Sequence, residues 1–337
     1  MGGLPLMMRG ASTLLKMAWQ PVLATIPPAS PAGRVTEVTG FGSNPGELQM
    51  FVYEPPKRLA AGAPLIVVMH GCGQDAASFA ADAGWIGLAR EIGAALLLPG
   101  QSRTNSRGRC FNWFRPADTR RGSGEAMSIR QMVRKAIARF GSDPRRVFIV
   151  GLSAGGAMAA ALLAAYPAVF AAGAVVAGMP VGAANNGALA LLRLYRAERY
   201  RGRAALAVAV RASAPPRPTR PWPRLSIWHG DGDRVIDPAN AELLAAQWSA
   251  VHGCEESPTV ETCPTTGVRH RVWENARGAA VECWTIADLG HGIPIDSRVE
   301  GGGRAAFAVI DVGLSAADQI ARFWGLKVDQ SQNPLIR

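Results

Sequence analysis

The chain has 337 residues, 48% hydrophobic and 18% charged, and carries a formal net charge of +11 from 36 Lys and Arg against 25 Asp and Glu. That is long and apolar enough to bury a sizeable core, which excludes a disordered chain, and the lack of any run of about 18 uninterrupted apolar residues argues against a transmembrane segment. The basic residues are scattered, with small clusters at Arg115, Arg120 and Arg121 and at Arg193, Arg196, Arg199, Arg201 and Arg203. No block of about five or six adjacent cations is present, so a solvated arginine-rich surface is expected rather than a nucleic-acid partner.

In chain order, Met8-Arg9-Gly10 precedes an apolar stretch, Ala11–Ala24, that Lys16 and Gln20 interrupt. It makes a weak signal segment. Ile26–Gly33 reads as a Pro- and Gly-punctuated linker. Residues 1–33 are therefore expected to form an N-terminal extension, 34–327 a catalytic domain, and 328–337 a tail. Arg34–Val38 and Leu48–Tyr53 read as strands. Leu65–Met69 (LIVVM) is a continuous apolar run, the pattern of a strand buried on both faces of a parallel sheet.

Ala77–Glu91 then has helical character, Ala94–Leu98 is a strand, and Glu125–Phe140 an amphipathic helix. Arg146–Val150 is a strand followed at once by a helical stretch, Gly155–Ala165. Ala171–Ala177, Arg224–Trp228 and Ala280–Ala287 supply further strands, while Asn240–Val251 and Ala316–Trp324 supply further helices. Such alternation predicts an α/β fold, a mostly parallel sheet with helices on both faces. Between about 182 and 222 the alternation lapses into Ala-, Arg- and Pro-rich sequence, read as an insertion over the C-terminal edge of the sheet.

Chemistry concentrates at Gly151-Leu152-Ser153-Ala154-Gly155. A G-x-S-x-G motif between a strand and a helix sets the serine on a strained turn, its flanking glycines relieving crowding so that the hydroxyl projects outward. The following N–H, of Ala154, faces the same space at a helix N-terminus and can stabilise an oxyanion. A serine nucleophile needs a base oriented by a third group, and with this motif the chain order is Ser, acid, His. His291, in the Gly-flanked loop Leu289–Pro294 after a late strand, fits best. His252 near a helix end, His270 opening a strand and His229 preceding the acid fit less well. For the acid, Asp231 and Asp233 compete, with Asp237 third, and the distance past the strand end favours Asp233. A second oxyanion donor is expected in His70-Gly71-Cys72-Gly73-Gln74, where the Cys72 N–H is the natural candidate and His70 a loop anchor. The aromatic loop Cys110-Phe111-Asn112-Trp113-Phe114 either plugs a surface gap or walls an apolar subsite.

Five cysteines, Cys72, Cys110, Cys254, Cys263 and Cys283, are an odd number without C-x-x-C or His-rich zinc spacing. No metal or cofactor is expected. Either one or two disulfides with a free thiol, in an oxidising compartment, or buried free thiols would account for them.

Taken together, HGCGQ (70–74), CFNWF (110–114), the stretch from Arg121 to Pro180 with GLSAGGAM, WPRLSIWHG (222–230) with Asp233 and DPANAELL, and GHGIP (290–294) resemble the catalytic domain of the short-chain-length polyhydroxyalkanoate (polyhydroxybutyrate) depolymerase esterase family. The resemblance covers roughly Arg34 to Trp324. It implies an α/β-hydrolase fold, cleavage of 3-hydroxyalkanoate esters as polymer or oligomer, and a triad of Ser153, Asp233 and His291. It also implies oxyanion donors at Cys72 and Ala154, a substrate-facing Trp113 and a Cys72–Cys110 disulfide. An extracellular or periplasmic location is expected, with a cytoplasmic one as the alternative. Little chain follows His291, where secreted polymer-degrading members carry a polymer-binding domain, so soluble oligomers, amorphous polymer or other short-chain esters are the expected substrates. Feruloyl and acetyl-xylan esterases share much of this architecture and are the alternative.

Overall fold

The computed structural model describes residues 33–216 and 219–327. The expected signal segment and linker, up to residue 32, and the tail 328–337 lie outside the described residues. Strands β1 (Arg34–Glu37), β2 (Gln49–Glu54), β3 (Leu65–Met69), β4 (Ala95–Gly100), β5 (Val147–Leu152), β6 (Ala172–Val176), β7 (Arg224–Gly230), β8 (Val260–Thr265), β9 (Val268–Asn275) and β10 (Gly278–Ile286) form one sheet in the order β1-β2-β4-β3-β5-β6-β7-β10-β9-β8. The centre, from β4 through β3, β5, β6 and β7 to β10, is parallel. Every residue of β3, β4, β5 and β6 is buried, which is why these segments read as unbroken apolar runs. Both flanks are antiparallel.

Helices cover both faces. On one lie α1 (Ala76–Asp82), α2 (Trp85–Ile92) and α9 (Ala316–Phe323), whose Phe79, Trp85, Leu88 and Ile320 pack with Ile66, Leu96 and Val150. On the other, α4 (Gly124–Phe140), α5 (Ala154–Ala165), α7 (Arg203–Ser213) and α8 (Ala239–His252) bring Ile129, Leu162, Val210 and Trp248 against Val67, Ile149 and Ile227. Helix α5 is buried at every position. Its Ala- and Gly-rich sequence fits that place, because small side chains let a helix lie close to the strands beneath it and Ala keeps a high helix propensity. A short helix, α3 (Pro116–Thr119), precedes α4, and a separate two-stranded parallel sheet pairs β11 (Ile293–Ile295) with β12 (Val309–Asp311).

Two expectations need correction. The segment Ala77–Glu91 is two helices, because Gly84 takes φ 80° between them and begins α2 in the left-handed region. Strand β8 goes beyond the strands read from the sequence, and β9 begins two residues before His270, the residue expected to open it. All of β8 is exposed, so it has no buried-face periodicity to read, and its pairing with β9 slips between Thr262 and Thr265. Residues 182–222 contain α6 (Gly187–Tyr195) and α7. Ala207 and Val210 of α7 join the core beside α5 and α8, so this helix covers the sheet face. Leu194 of α6 packs on Ala157, Met179 and Ile236 at the C-terminal ends of the strands.

Ile149 sits fully buried at the middle of the central strand. Ile149→Ala is expected to lower unfolding free energy by about 3 kcal/mol through lost transfer energy and an incompletely collapsed cavity. The urea midpoint should fall with the slope of the transition unchanged.

Candidate active site

The C-terminal ends of β5, β6, β7 and β10 lie side by side, and the chain turns there four times. Ser153 leaves β5 and caps α5 with φ 57° and ψ −120°, a region β-substituted residues rarely enter. Its N–H donates to the Val176 carbonyl at 2.9 Å and its carbonyl accepts from the Ala157 N–H at 2.9 Å, so sheet and helix together impose the bend. The two glycines of the motif are required by close approach. A Cβ on Gly151 would stand 2.2 Å from the Gly155 carbonyl oxygen, and one on Gly155 would stand 2.5 Å from that of His70. Neither obstacle is a movable side chain.

The loop after β3 lies against this turn, since a Cβ on Gly71 would sit 3.5 Å from the Ser153 Cβ. Its shape is fixed from inside. The Gly71 N–H donates to Gln74 Oε1 at 2.7 Å, and the Gly73 N–H to the Gly108 carbonyl at 2.8 Å. His70 Nδ1–H donates to the Gly71 carbonyl at 2.7 Å, while Nε2 accepts from the Gln101 N–H at 3.1 Å. Among the described residues neither the Cys72 nor the Ala154 N–H is engaged in a hydrogen bond. A disulfide joins Cys72 to Cys110, so this loop is tied to the aromatic loop. Cys254 and Cys283 are buried free thiols and Cys263 an exposed one, which answers the question the odd count left open.

Asp233 follows β7 and His291 follows β10, as neighbouring parallel strands require. His291 Nδ1–H donates to Asp233 Oδ2 at 2.7 Å. Oδ1 of the same carboxylate accepts from the N–H groups of Val235 at 2.8 Å and Ile236 at 2.9 Å. Burial alone would raise this carboxyl. Hydrogen bonds from His229 and His291, the nearby His291 charge and the Ile236 N–H overcome it and hold Asp233 well below the usual carboxylate range. The competing acids are engaged elsewhere. Asp231 accepts from the Asp288 N–H, and Asp237 from Ala197, Ala239 and Arg199. His252 bonds the Pro223 carbonyl and His270 bonds Glu282. The Ser153 hydroxyl has no hydrogen bond among the described residues.

Trp113 packs partly buried beside Ala157, one turn beyond Ser153, and lines a groove of about 640 Å³ with Arg120, Ala161, Pro180 and Pro215. What holds its loop is Glu125, which the sequence reading placed only as the start of a helix. Fully buried, Glu125 accepts from the Asn112 N–H at 2.9 Å, Asn112 Nδ2 at 2.7 Å and Gln101 Nε2 at 2.7 Å. Burial pushes its carboxyl up to about 7 against those donors. A glutamate in the first turn of a helix also suits the helix dipole, so nothing in its position signalled this role. Among the described residues no group of three or more His, Cys, Asp and Glu is placed to hold a metal ion, and no helix is long and apolar enough to cross a membrane.

Burial lowers the His70 ring from an ordinary value of 6.5 to about 4, more than its bond to Gly71 restores. Above pH 6.5 the ring is neutral in the folded and unfolded chain alike; as pH falls toward 4 the unfolded chain takes up a proton that the fold refuses, and the stability lost reaches about 3 kcal/mol. Ring nitrogen NMR against pH is expected to show His70 uncharged down to pH 5. A midpoint near 6.5 would contradict this.

The sequence profile of the family described as Esterase PHB depolymerase matches residues 48–266. Over 295 residues the chain is 37% identical to poly(3-hydroxyalkanoate) depolymerase C of Paucimonas lemoignei, spanning 87% of this chain and 70% of that one. It is 35% identical over 280 residues to the acetylxylan esterase of Coprinopsis cinerea, spanning 80% and 73% of the two chains. Feruloyl esterase B of Talaromyces funiculosus is 31% identical over 283 residues, spanning 82% and 78%. Among solved structures, the acetyl xylan esterase from Aspergillus awamori superposes with a TM-score of 0.75 at 23% identity over 88% of this chain and all of its own, a likeness of fold. With the profile covering most of the sheet and a relative aligned along most of both lengths, the chain belongs to the PHB depolymerase family of esterases, built on the α/β-hydrolase fold.

Proposed function

We propose that residues 34–327 form a serine esterase that hydrolyses 3-hydroxyalkanoate esters, polymer or oligomer, through Ser153, His291 and Asp233. The observation that carries the reading is the 2.7 Å bond from His291 Nδ1–H to a buried Asp233, at the sheet edge where Ser153 occupies its strained bend. With Nδ1 holding its proton against the carboxylate, Nε2 is the free base. As Ser153 Oγ attacks the ester carbonyl carbon, Nε2 takes the hydroxyl proton, and Asp233 stabilises the imidazolium that results. The Cys72 and Ala154 N–H groups receive the oxyanion. Collapse breaks the ester C–O bond, and the departing alkoxide takes the proton from Nε2 to leave as an alcohol. Water, deprotonated by the same nitrogen, then attacks the acyl-enzyme and releases the carboxylic acid and Ser153.

The substrate class rests on the alignment with the Paucimonas lemoignei enzyme. Carbohydrate esters are a second reading, favoured by the 35% identity to an acetylxylan esterase. Trp113 and its groove beside Ala157 supply an apolar wall suited to either acyl group. The Cys72–Cys110 disulfide supports an oxidising location, extracellular or periplasmic.

Ser153→Ala is expected to lower turnover of p-nitrophenyl butyrate by about four orders of magnitude with the unfolding temperature nearly unchanged. Unaltered turnover would end the proposal. In a panel of hydroxybutyrate oligomers, feruloyl esters and acetylated xylan, the oligomers should show the highest kcat/KM. A preference for the sugar esters would replace the substrate and keep the mechanism.

The disulfide spans a sequence separation of 38. Cys110→Ser should therefore cost about 3–4 kcal/mol by loop entropy. Because Cys72 carries an oxyanion donor, kcat should fall more than KM rises, as single-substrate kinetics on the reduced and oxidised protein would reveal.

A further inference from the structure

We propose that His229 is a positioning residue of this site, a second histidine that shares Asp233 Oδ2 with His291 and so fixes both the aim of that carboxylate and how tightly it holds a protonated His291. The inference rests on the triad reading above. His229 is the penultimate residue of β7, its side chain 1% exposed against 14% for His291. The two rings thus form an inner and an outer pair on one oxygen.

Hydrogen-bond accounting sets the inner ring's tautomer. His229 Nε2 lies 3.1 Å from Asp233 Oδ2 and 3.3 Å from the Ile236 carbonyl oxygen. Both partners only accept, so Nε2 carries the proton. Nδ1 is buried and has no partner among the described residues. A proton there would be a buried donor without an acceptor, whereas a bare lone pair costs less. His229 therefore donates through Nε2 alone, its proton shared between Asp233 Oδ2 and the Ile236 carbonyl, with its other edge idle, and a ring used only to fill space would not need those partners.

With His229 in place the carboxylate accepts four bonds, two backbone N–H groups on Oδ1 and two imidazole N–H groups on Oδ2. That saturates a buried carboxylate, pins its rotation and leaves Oδ2 directed at His291. It also divides the anionic charge on Oδ2. Removing the inner donor concentrates that charge on His291 and strengthens its grip on a proton. The titratable groups His229 meets are Asp233 and, through it, His291. Asp231 is turned to the Asp288 N–H and Asp237 to Arg199, and Thr285, its register partner on β10, carries no charge.

The test compares His229→Gln and His229→Leu with Ser153→Ala and the unaltered full chain on p-nitrophenyl butyrate across pH. His229→Gln keeps an N–H donor and should stay within about threefold of the parent with the acidic limb of kcat/KM in place. His229→Leu should lose roughly ten- to a hundredfold in kcat with KM little changed, the scale of a misaimed catalytic group. Its acidic limb should move to higher pH. A His229→Leu protein with parental kcat and limb overturns the inference, and so does one that loses only thermal stability. If His229→Leu does not fold, ring nitrogen NMR of the unaltered protein decides. Protonated Nε2 and unprotonated Nδ1 on His229 at pH 8 support the assignment, and the reverse overturns it. An active Ser153→Ala would instead count against the triad, leaving the His229 tautomer to be judged by itself.

Discussion

A left-handed serine at the end of a central strand is the constraint around which this molecule is arranged. Residues forced into such backbone cost about 1–3 kcal/mol and persist only where their surroundings over-determine them. Here the surroundings are β6, which takes the Ser153 N–H, and α5, whose first turn takes its carbonyl. The same bend demands Gly151 and Gly155, because the backbone of β3 and of α5 itself occupies the space a side chain would need. It also exposes the Ala154 N–H at a helix N-terminus. Strain, free N–H and serine hydroxyl are one feature seen from three sides.

Around that bend, two buried carboxylates meet opposite fates. Asp233 sits among donors that outweigh its burial, and it is held ionised. Glu125 also accepts several bonds, yet burial dominates and raises it. The first suits the role proposed for Asp233, steadying a transient imidazolium. The second ties the aromatic loop to Gln101, and through the Gln101 N–H to the His70 ring beneath the Cys72 loop. The disulfide joins those same two loops by a second route. The segment expected to donate to the oxyanion and the segment bearing Trp113 are thus coupled both by a covalent bond and by a polar network with no water-facing member at its centre.

How much of this can be read from residues alone depends on whether the signal is local. The strands β3 and β5 announce themselves because burial on both faces leaves no polar position, and Ser153 because glycines, strand and helix are contiguous around it. His291 and Asp233 stand out as a Gly-flanked histidine and an acid past a strand end, and in the structure it is Asp233 that bonds His291 while Asp231 accepts from the Asp288 N–H. What stays hidden is long-range. Glu125 looks like any acid in a helix's first turn. His229 looks like a strand residue on the wrong side of the acid. Neither reveals its partners until β4, β7 and the loops beyond them are assembled. The break at Gly84 and the exposed β8 were missed for a different reason, since helical periodicity survives a one-residue interruption and an all-exposed strand has no periodicity to lose.

The outer strand β8 has one further property. A sheet that ends in an exposed strand offers its unpaired backbone groups to any passing chain, and extension by a second copy is the ordinary hazard. In β8 the run of donors is broken where Pro264, which has no N–H, falls within the slip in register between Thr262 and Thr265. Glu261 adds a charge that a like neighbour would have to face. The flank of the sheet farthest from β1 is thereby made a poor template for extension by another strand.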